Sequence, residues 1–361
     1  MKKVIALTHF PSPYQVELFN AIAESGHISL NVLYLYAKDM SRSWKVPQLR
    51  HEHLWLDDNP QRFQKAESFI ERSDLVVFNY YRHKQTRELI EQRALSGKAW
   101  CLWGERPGYH GFNKIGALYR RWKLSTLHSS HAPIWGMGKW AVEQYRSEFG
   151  EGRLYFNVPY FSDLGRFRGH KDRCKLAARQ TVFLYSGSLI RRKGVDLLAK
   201  AFSRLADEST SVSLKLVGEG DLRATLERQL ARHGDRVEFT GFRQWEELPQ
   251  LYHTSHVLCV PSRYDGWNLV VPEGLAAGLP IISTDRTGAA LELIKPKENG
   301  WIVPADDERG LYQAMREAAQ LPQADLLACS LAAEKSVAKH TISHGVERFH
   351  QAVEATLNAY A

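Results

Sequence analysis

The sequence predicts an α/β protein of two domains in series, each a parallel, doubly wound sheet. Three observations predict it. Short apolar β-type runs alternate with helical spacing, the rhythm breaks once at a Pro-centred segment, and it then starts again. With 361 residues, 44% of them hydrophobic and 24% charged, the chain is long enough for two ordinary cores and too apolar to be disordered.

Residues 3–8 read as a buried strand, which Phe10-Pro11-Ser12-Pro13-Tyr14 breaks. Residues 14–24 then carry helical spacing in Val16, Phe19 and Ala23. Further β-type runs stand at 30–36, 75–80 and 99–103, with helical character at 88–95. The pattern stops at 155–163, a natural crossing between domains. It resumes with strands at 181–185, 212–217, 237–240, 257–260 and 280–283. Helices are expected at 194–205 and 224–232, from near Pro272, at 308–319 and at 346–357. The predicted division is 1–160, 161–340 and a last helix, 341–361, that returns to the first domain.

The net charge of +8 is unevenly placed. Residues 106–142 carry Arg106, Lys114, Arg120, Arg121, Lys123 and Lys139 and no carboxylate, a patch attractive to phosphate or an anionic membrane. On a helix over 114–123, Ile115, Leu118, Tyr119 and Trp122 share one face, flanked by Lys114, Arg120, Arg121 and Lys123. Two readings stay open: an interfacial helix at a membrane, or an ordinary amphipathic helix packed on its own domain. One patch without a recognition motif argues against nucleic acid. Cys101, Cys174, Cys259 and Cys329 lie too far apart for a zinc or redox motif, so a reduced compartment is expected. The apolar run at the N-terminus is too short for a signal peptide, and no stretch approaches the roughly 18 apolar residues of a membrane span. A soluble or membrane-peripheral protein is expected.

The most informative segment runs from Arg263 through Tyr264, Asp265, Gly266, Trp267, Asn268, Leu269, Val270, Val271 and Pro272 to Glu273. Two carboxylates bracket a Gly-containing loop whose amides can face an anion, and Pro272 suits a first helical turn. Taken alone, the segment also fits a plain strand-to-helix connection with a solvated Asp and a Glu at a helix start. Upstream, Ser186-Gly187-Ser188-Leu189-Ile190-Arg191-Arg192-Lys193-Gly194 follows the second domain's first strand, so three cations precede a helix at the sheet's carboxyl edge. A diphosphate fits there. Gly-rich turns close the next two strands, at Gly218-Glu219-Gly220 and at Thr240-Gly241-Phe242.

In this order the segments resemble the nucleotide-sugar domain of the family 4 glycosyltransferases, retaining enzymes of the GT-B fold, in which two Rossmann-like domains face a cleft. The resemblance is carried by "NVPYF", "YSGSLIRRKG", "LVGEGDLR", "VEFTGF", "VPSRYDGWNLVVPEGLAAGLPII" and "NGWIVPADD", from about Asn157 to Asp307. It is weaker at "HFPSPYQVELFNAI", which is similar to the family's first loop and helix. It implies that Lys193 contacts the donor diphosphate, that Glu273 takes the ribose hydroxyls, and that Asp265 contacts the donor sugar. It further implies that the amides of Gly266, Trp267, Asn268, Leu269 and Val270 bind sugar and phosphate, and that Phe242 lies beside the base. Pro11, Ser12 and Pro13 are expected to face the diphosphate and acceptor.

Two positions depart from the family. Ser188 stands where an Arg is usual, and Arg191 or Arg192 is left to supply that charge. Glu105 lies near the place of a usual His. It either serves the acceptor, as hydroxyl ligand or base, or pairs with Arg106 or caps its loop.

The expectation is a retaining, metal-independent transferase that moves a sugar from a nucleotide-sugar to a glycan or lipid-linked acceptor of bacterial surface polysaccharide. It would act in the cytoplasm, at the cytoplasmic face of the inner membrane. No cofactor is expected, since fixed cations can neutralise the leaving diphosphate and no Asp-x-Asp triplet is present to hold a metal there. One rival is a non-catalytic GT-B subunit that only binds nucleotide-sugar or glycan. A nicotinamide dehydrogenase is disfavoured, because no Gly-x-Gly-x-x-Gly follows the first strand.

Overall fold

The computed structural model describes residues 1–38, 44–107, 113–169 and 180–361, with only the backbone at 113–115 and 117. Cys174 and the side chain of Lys114 lie outside the described residues. The chain forms two compact units, Met1–Asp163 with Thr341–Ala361, and Leu164–His340. The division falls three residues beyond the expected 160, because Asp163 donates its amide to Glu17 Oε2 at 2.9 Å and the Phe161 ring meets His344 edge-on at 5.9 Å, both in the first unit.

In unit 1 the strands are β1 (Lys2–Thr8), β2 (Ile28–Tyr34), β3 (Glu52–Trp55), β4 (Leu75–Phe78), β5 (Trp100–Gly104), β6 (Ile134–Gly136) and β7 (Tyr155–Asn157). They pair in parallel in the order β3-β2-β1-β4-β5-β6-β7. A parallel sheet needs helices on both faces, which is why β4 and β5 read as unbroken apolar runs. The helix Pro13–Glu24 starts on Pro13, whose missing N–H would be unpaired there, and buries Val16, Phe19 and Ile22. The helix Ile342–Asn358 completes this unit. Its Phe349 is fully buried with ring centroids 5.9 Å from Trp103 and 5.2 Å from Trp135, a burial that contributes roughly 1.5–3 kcal/mol. Trp135 donates to Thr356 Oγ1 at 3.1 Å, so the helix is fixed in register as well as buried.

Unit 2 repeats the plan with β8 (Thr181–Ser186), β9 (Val212–Val217), β10 (Val237–Gly241), β11 (Val257–Val260), β12 (Ile281–Thr284) and β13 (Gly300–Val303), in the order β10-β9-β8-β11-β12-β13. All pairs are parallel. Its core packs Leu198, Phe202 and Leu205 from one helix and Leu311 and Met315 from another against Leu214 and Leu216 of the sheet. The helix expected near Pro272 opens two residues earlier, at Val270, which leaves Pro272 still among the first residues whose N–H has no helical partner.

Both sheets are therefore doubly wound, and in each the strand order reverses once. The reversal lies between β1 and β4 in unit 1 and between β8 and β11 in unit 2. Crevices at such reversals, beyond the carboxyl ends of the strands, are where these folds hold ligands. Among the described residues no helix is long and apolar enough to cross a membrane.

Candidate donor site

At the unit 2 reversal, two loops meet. The first leaves β8 and makes a 3-10 turn at Arg191–Lys193 before the helix Val195–Glu208. Gly194 joins them at φ +71, and a Cβ there would overlap the Pro261 carbonyl. Only glycine allows that approach. The second loop leaves β11, and its Arg263 amide donates to the Arg192 carbonyl at 2.9 Å, closing the two loops together.

The chemistry gathers on this seam. Lys193 Nζ lies 2.5 Å from Asp265 Oδ2, and Arg192 lies 3.7 Å from the same oxygen. Of the two arginines left to replace the charge missing at Ser188, Arg192 stands beside Asp265. The Ser188 carbonyl instead accepts the Tyr185 hydroxyl at 2.7 Å. That hydroxyl is pushed far up by burial and then by the charge of Asp265, so it stays protonated and donating.

Asp265 is buried, and its backbone is tied on both sides, N–H to Arg286 and C=O to Gly288. Beyond it, the amides of Gly266, Trp267, Asn268 and Leu269 donate to no acceptor among the described residues. A run of free N–H groups beside two cations is an anion cradle. The Val270 amide is not part of it, contrary to expectation, because it already donates to Asn268 Oδ1 at 3.2 Å. Asn268 sits at φ +78, a conformation Asn tolerates better than most residues, and its side-chain bond fixes the turn. Trp267 contributes backbone only. Its ring is buried and stacks on His340 with centroids 6.0 Å apart.

Glu273, one turn further, is 5% exposed and accepts the Tyr252 hydroxyl at 3.2 Å. Tyr252 is an orienting partner that the sequence reading missed, since it lies 21 residues away on a helix with no motif of its own. Phe242, just past β10, is 41% exposed, as a ring offered to a ligand would be. The reading also assigned no role to Arg263. Its guanidinium grips Asp196 through two bonds at 2.6 and 2.9 Å, pairs with Asp306 at 2.5 Å and donates to the Arg191 carbonyl at 2.5 Å. One side chain ties three loops of this site.

The remaining expected site residues belong to unit 1. Pro11, Ser12 and Pro13 are buried, and the Ser12 hydroxyl is spent on Gln15 Oε1 at 2.8 Å, so these side chains shape the loop from beneath. Glu105 is exposed just past β5. Its carbonyl accepts the Tyr145 hydroxyl at 2.9 Å, and a side chain in place of Gly104 would press on that hydroxyl. The neighbouring Arg106 donates to Gln144 Oε1 at 3.0 Å.

The basic helix, Asn113–Lys123, needs one correction. Arg120 was expected to flank the apolar face as a candidate membrane contact, yet it makes a bidentate bond to Glu148, with both side chains largely buried. Its charge is neutralised 28 residues away in sequence. Leu118, Tyr119 and Trp122 are exposed, at 67%, 58% and 68%, and Lys123 Nζ sits 4.5 Å over the Trp122 ring.

Comparison with known proteins relates part of the chain to glycosyltransferases. Residues 180–320 match the family described as glycosyl transferases group 1. An uncharacterized glycosyltransferase of Methanocaldococcus jannaschii is 32% identical over 36% of this chain and 33% of its own length. A putative colanic acid biosynthesis glycosyltransferase of Escherichia coli is 26% identical over 38% of this chain and 36% of its own. The chain thus spans about a third of the length of these curated relatives. Among solved structures, HepE of Anabaena in complex with UDP aligns with a TM-score of 0.78 at 15% identity, covering 98% of this chain and all of that one. Residues 180–320 thus match the group 1 glycosyl transferases, within a chain whose fold is that of the GT-B structures.

Proposed function

We propose that the chain is a retaining glycosyltransferase that binds a nucleotide-sugar on unit 2 and transfers its sugar to a glycan or lipid-linked acceptor held by unit 1, in synthesis of a bacterial surface polysaccharide. One observation carries the reading: Lys193, Arg192 and four unspent amides converge between two buried carboxylates. The cations and amides suit a diphosphate, and the carboxylates suit hydroxyls, Asp265 those of the sugar and Glu273 those of the ribose. The match of residues 180–320 and the UDP bound by HepE support a nucleotide-sugar donor. The colanic acid relative supports a polysaccharide product.

In this reading the bond between the anomeric carbon and the diphosphate oxygen breaks while the acceptor oxygen bonds to the same face of that carbon. The acceptor's proton passes to the departing phosphate. Negative charge grows on the diphosphate as the bond lengthens, so Lys193, Arg192 and the amides stabilise the transition state more than the ground state. We assign them that task in place of a divalent metal.

Ligand-observed NMR with UDP-, GDP-, ADP- and dTDP-sugars tests the proposal. One class is expected to bind the wild-type protein and to be hydrolysed slowly or transferred. Binding without turnover over any acceptor favours a non-catalytic subunit, and no binding by any of them in a folded protein sinks the reading.

We further propose that the enzyme docks on the cytoplasmic face of the inner membrane through Trp122 and its neighbours Tyr119, Arg121 and Lys123. Each cation near an anionic leaflet is worth about 1 kcal/mol, so docking through this small set is weak and salt-sensitive. Flotation with anionic vesicles is expected to carry the wild type at low salt and to lose Trp122→Ala. Equal flotation of both proteins would remove this surface from consideration.

A further inference from the structure

The two strand-order reversals share a topology and differ in chemistry. That of unit 2 is lined by cations and free amides, which select an anion. That of unit 1 is lined by rings. His9 follows β1 directly, Tyr80 lies two residues beyond β4, and Tyr36 lies two residues beyond β2, so three neighbouring strands deliver three rings to one edge. His9 stacks on Tyr80 with centroids 4.4 Å apart and planes 8° from parallel. Tyr36 meets His9 edge-on at 5.5 Å, and the Tyr36 amide donates to the His9 carbonyl at 3.0 Å. Phe10 adds a fourth ring, 5.0 Å from His9.

These rings are only half-buried. A core cluster would be covered and a chance surface aromatic would stand alone, whereas a half-covered group at a ligand crevice is built to be covered by something else. Its footing is rigid. Beneath it Asn79 Oδ1 accepts from Thr8 at 2.9 Å and from Gln15 at 3.1 Å, and Asn79 Nδ2 donates to the Trp103 carbonyl at 2.9 Å. At its margin the Tyr36 hydroxyl donates to Asp58 at 3.4 Å.

From this contrast we propose that His9, Tyr80, Tyr36 and Phe10 form a stacking platform for one pyranose ring of the acceptor. It rests on the transferase reading and names the acceptor's chemistry. The C–H face of a pyranose carries partial positive charge and fits the negative face of an aromatic ring. Its equatorial hydroxyls point outward, toward a margin of hydroxyl and carboxylate groups. The Asp58 carboxylate, which also meets His83 Nε2 at 3.1 Å, can accept from a sugar hydroxyl.

The test uses the full chain and methyl glucoside, methyl galactoside and methyl N-acetylglucosaminide as probes, read by saturation-transfer NMR. At least one is expected to bind the wild type with saturation concentrated on its ring C–H protons. His9→Ala and Tyr80→Ala should weaken that binding about 2- to 10-fold while His9→Phe, which keeps the ring, retains it. Lys193→Ala should leave it unchanged. Unaltered melting temperature and nucleotide-sugar binding certify that the variants are folded. Glycoside binding undiminished by either alanine substitution overturns the platform, as does a wild type that takes nucleotide-sugar but no glycoside. Glycoside binding through His9 in a protein that takes no nucleotide-sugar supports the platform and sinks the donor reading alone.

Discussion

Replacing Lys193 with alanine is expected to lower kcat/KM for sugar transfer by about 10- to 100-fold, the worth of one hydrogen bond to a charged group placed where transition-state charge accumulates. The substitution does two separable things. In the proposed site it removes a cation from the diphosphate, and it leaves the buried Asp265 with Arg192, at 3.7 Å, as its ion-pair partner among the described residues. The second effect costs stability, because a buried carboxylate that loses its partner keeps its desolvation penalty. The double variant Lys193→Ala/Asp265→Asn isolates the second effect: with no buried charge left unpaired, it should recover the melting temperature lost by Lys193→Ala. A Lys193→Ala enzyme with unchanged kcat/KM would show that the diphosphate lies elsewhere.

The segments that form the candidate site were legible because their chemistry is local. The chain from Ser188 to Gly194 and the chain from Asp265 to Glu273 each place cations, amides or carboxylates within one loop, and strand ends brought the two loops together as the fold class requires. The strands that escaped the reading, β3, β6, β7 and β13, have three or four residues each and lack the unbroken run of four apolar side chains that marks β4 and β11 at the same length. Partnerships between distant segments were the real blind spot. The count of cations over 106–142 stopped short of Glu148, which neutralises Arg120. His9, Tyr36 and Tyr80 are unremarkable in sequence, each lying just past a strand, and only the β2-β1-β4 order makes them neighbours. The reading took 30–36 and 75–80 as strands and so placed two of these rings inside the sheet rather than on its edge. Strand order is set by crossover packing, which no single segment encodes.

Arg263 shows the same blind spot at the centre of the site, and its loss should rival that of Lys193. Its partners stand 67 residues before it, at Asp196, and 43 after it, at Asp306, so nothing in the motif announced the clamp. Burial alone would raise the Asp196 carboxyl, but the hydrogen bonds and charge of Arg263 outweigh it and hold the group below the usual aspartate range. The contribution of the pair is therefore complete at neutral pH and is lost only in acid, as the pH falls through that depressed value. At neutral pH the clamp holds the Arg191–Lys193 turn against the loop that carries Asp265, and so sets where the cations stand relative to the amides. Misplacement of such groups by about 1 Å costs on the order of 100-fold in rate. Arg263→Ala is thus expected to weaken nucleotide-sugar binding and to lower kcat as well, by about 10- to 100-fold together. Lysine offers one point charge where a planar fork is gripped on two sides, so Arg263→Lys should restore little. A variant that melts earlier yet keeps the donor KM and kcat of the wild type would reduce the clamp to a structural brace. A loss in both constants, measured well below the melting temperature, would make Arg263 the residue that positions the cations on which departure of the diphosphate depends.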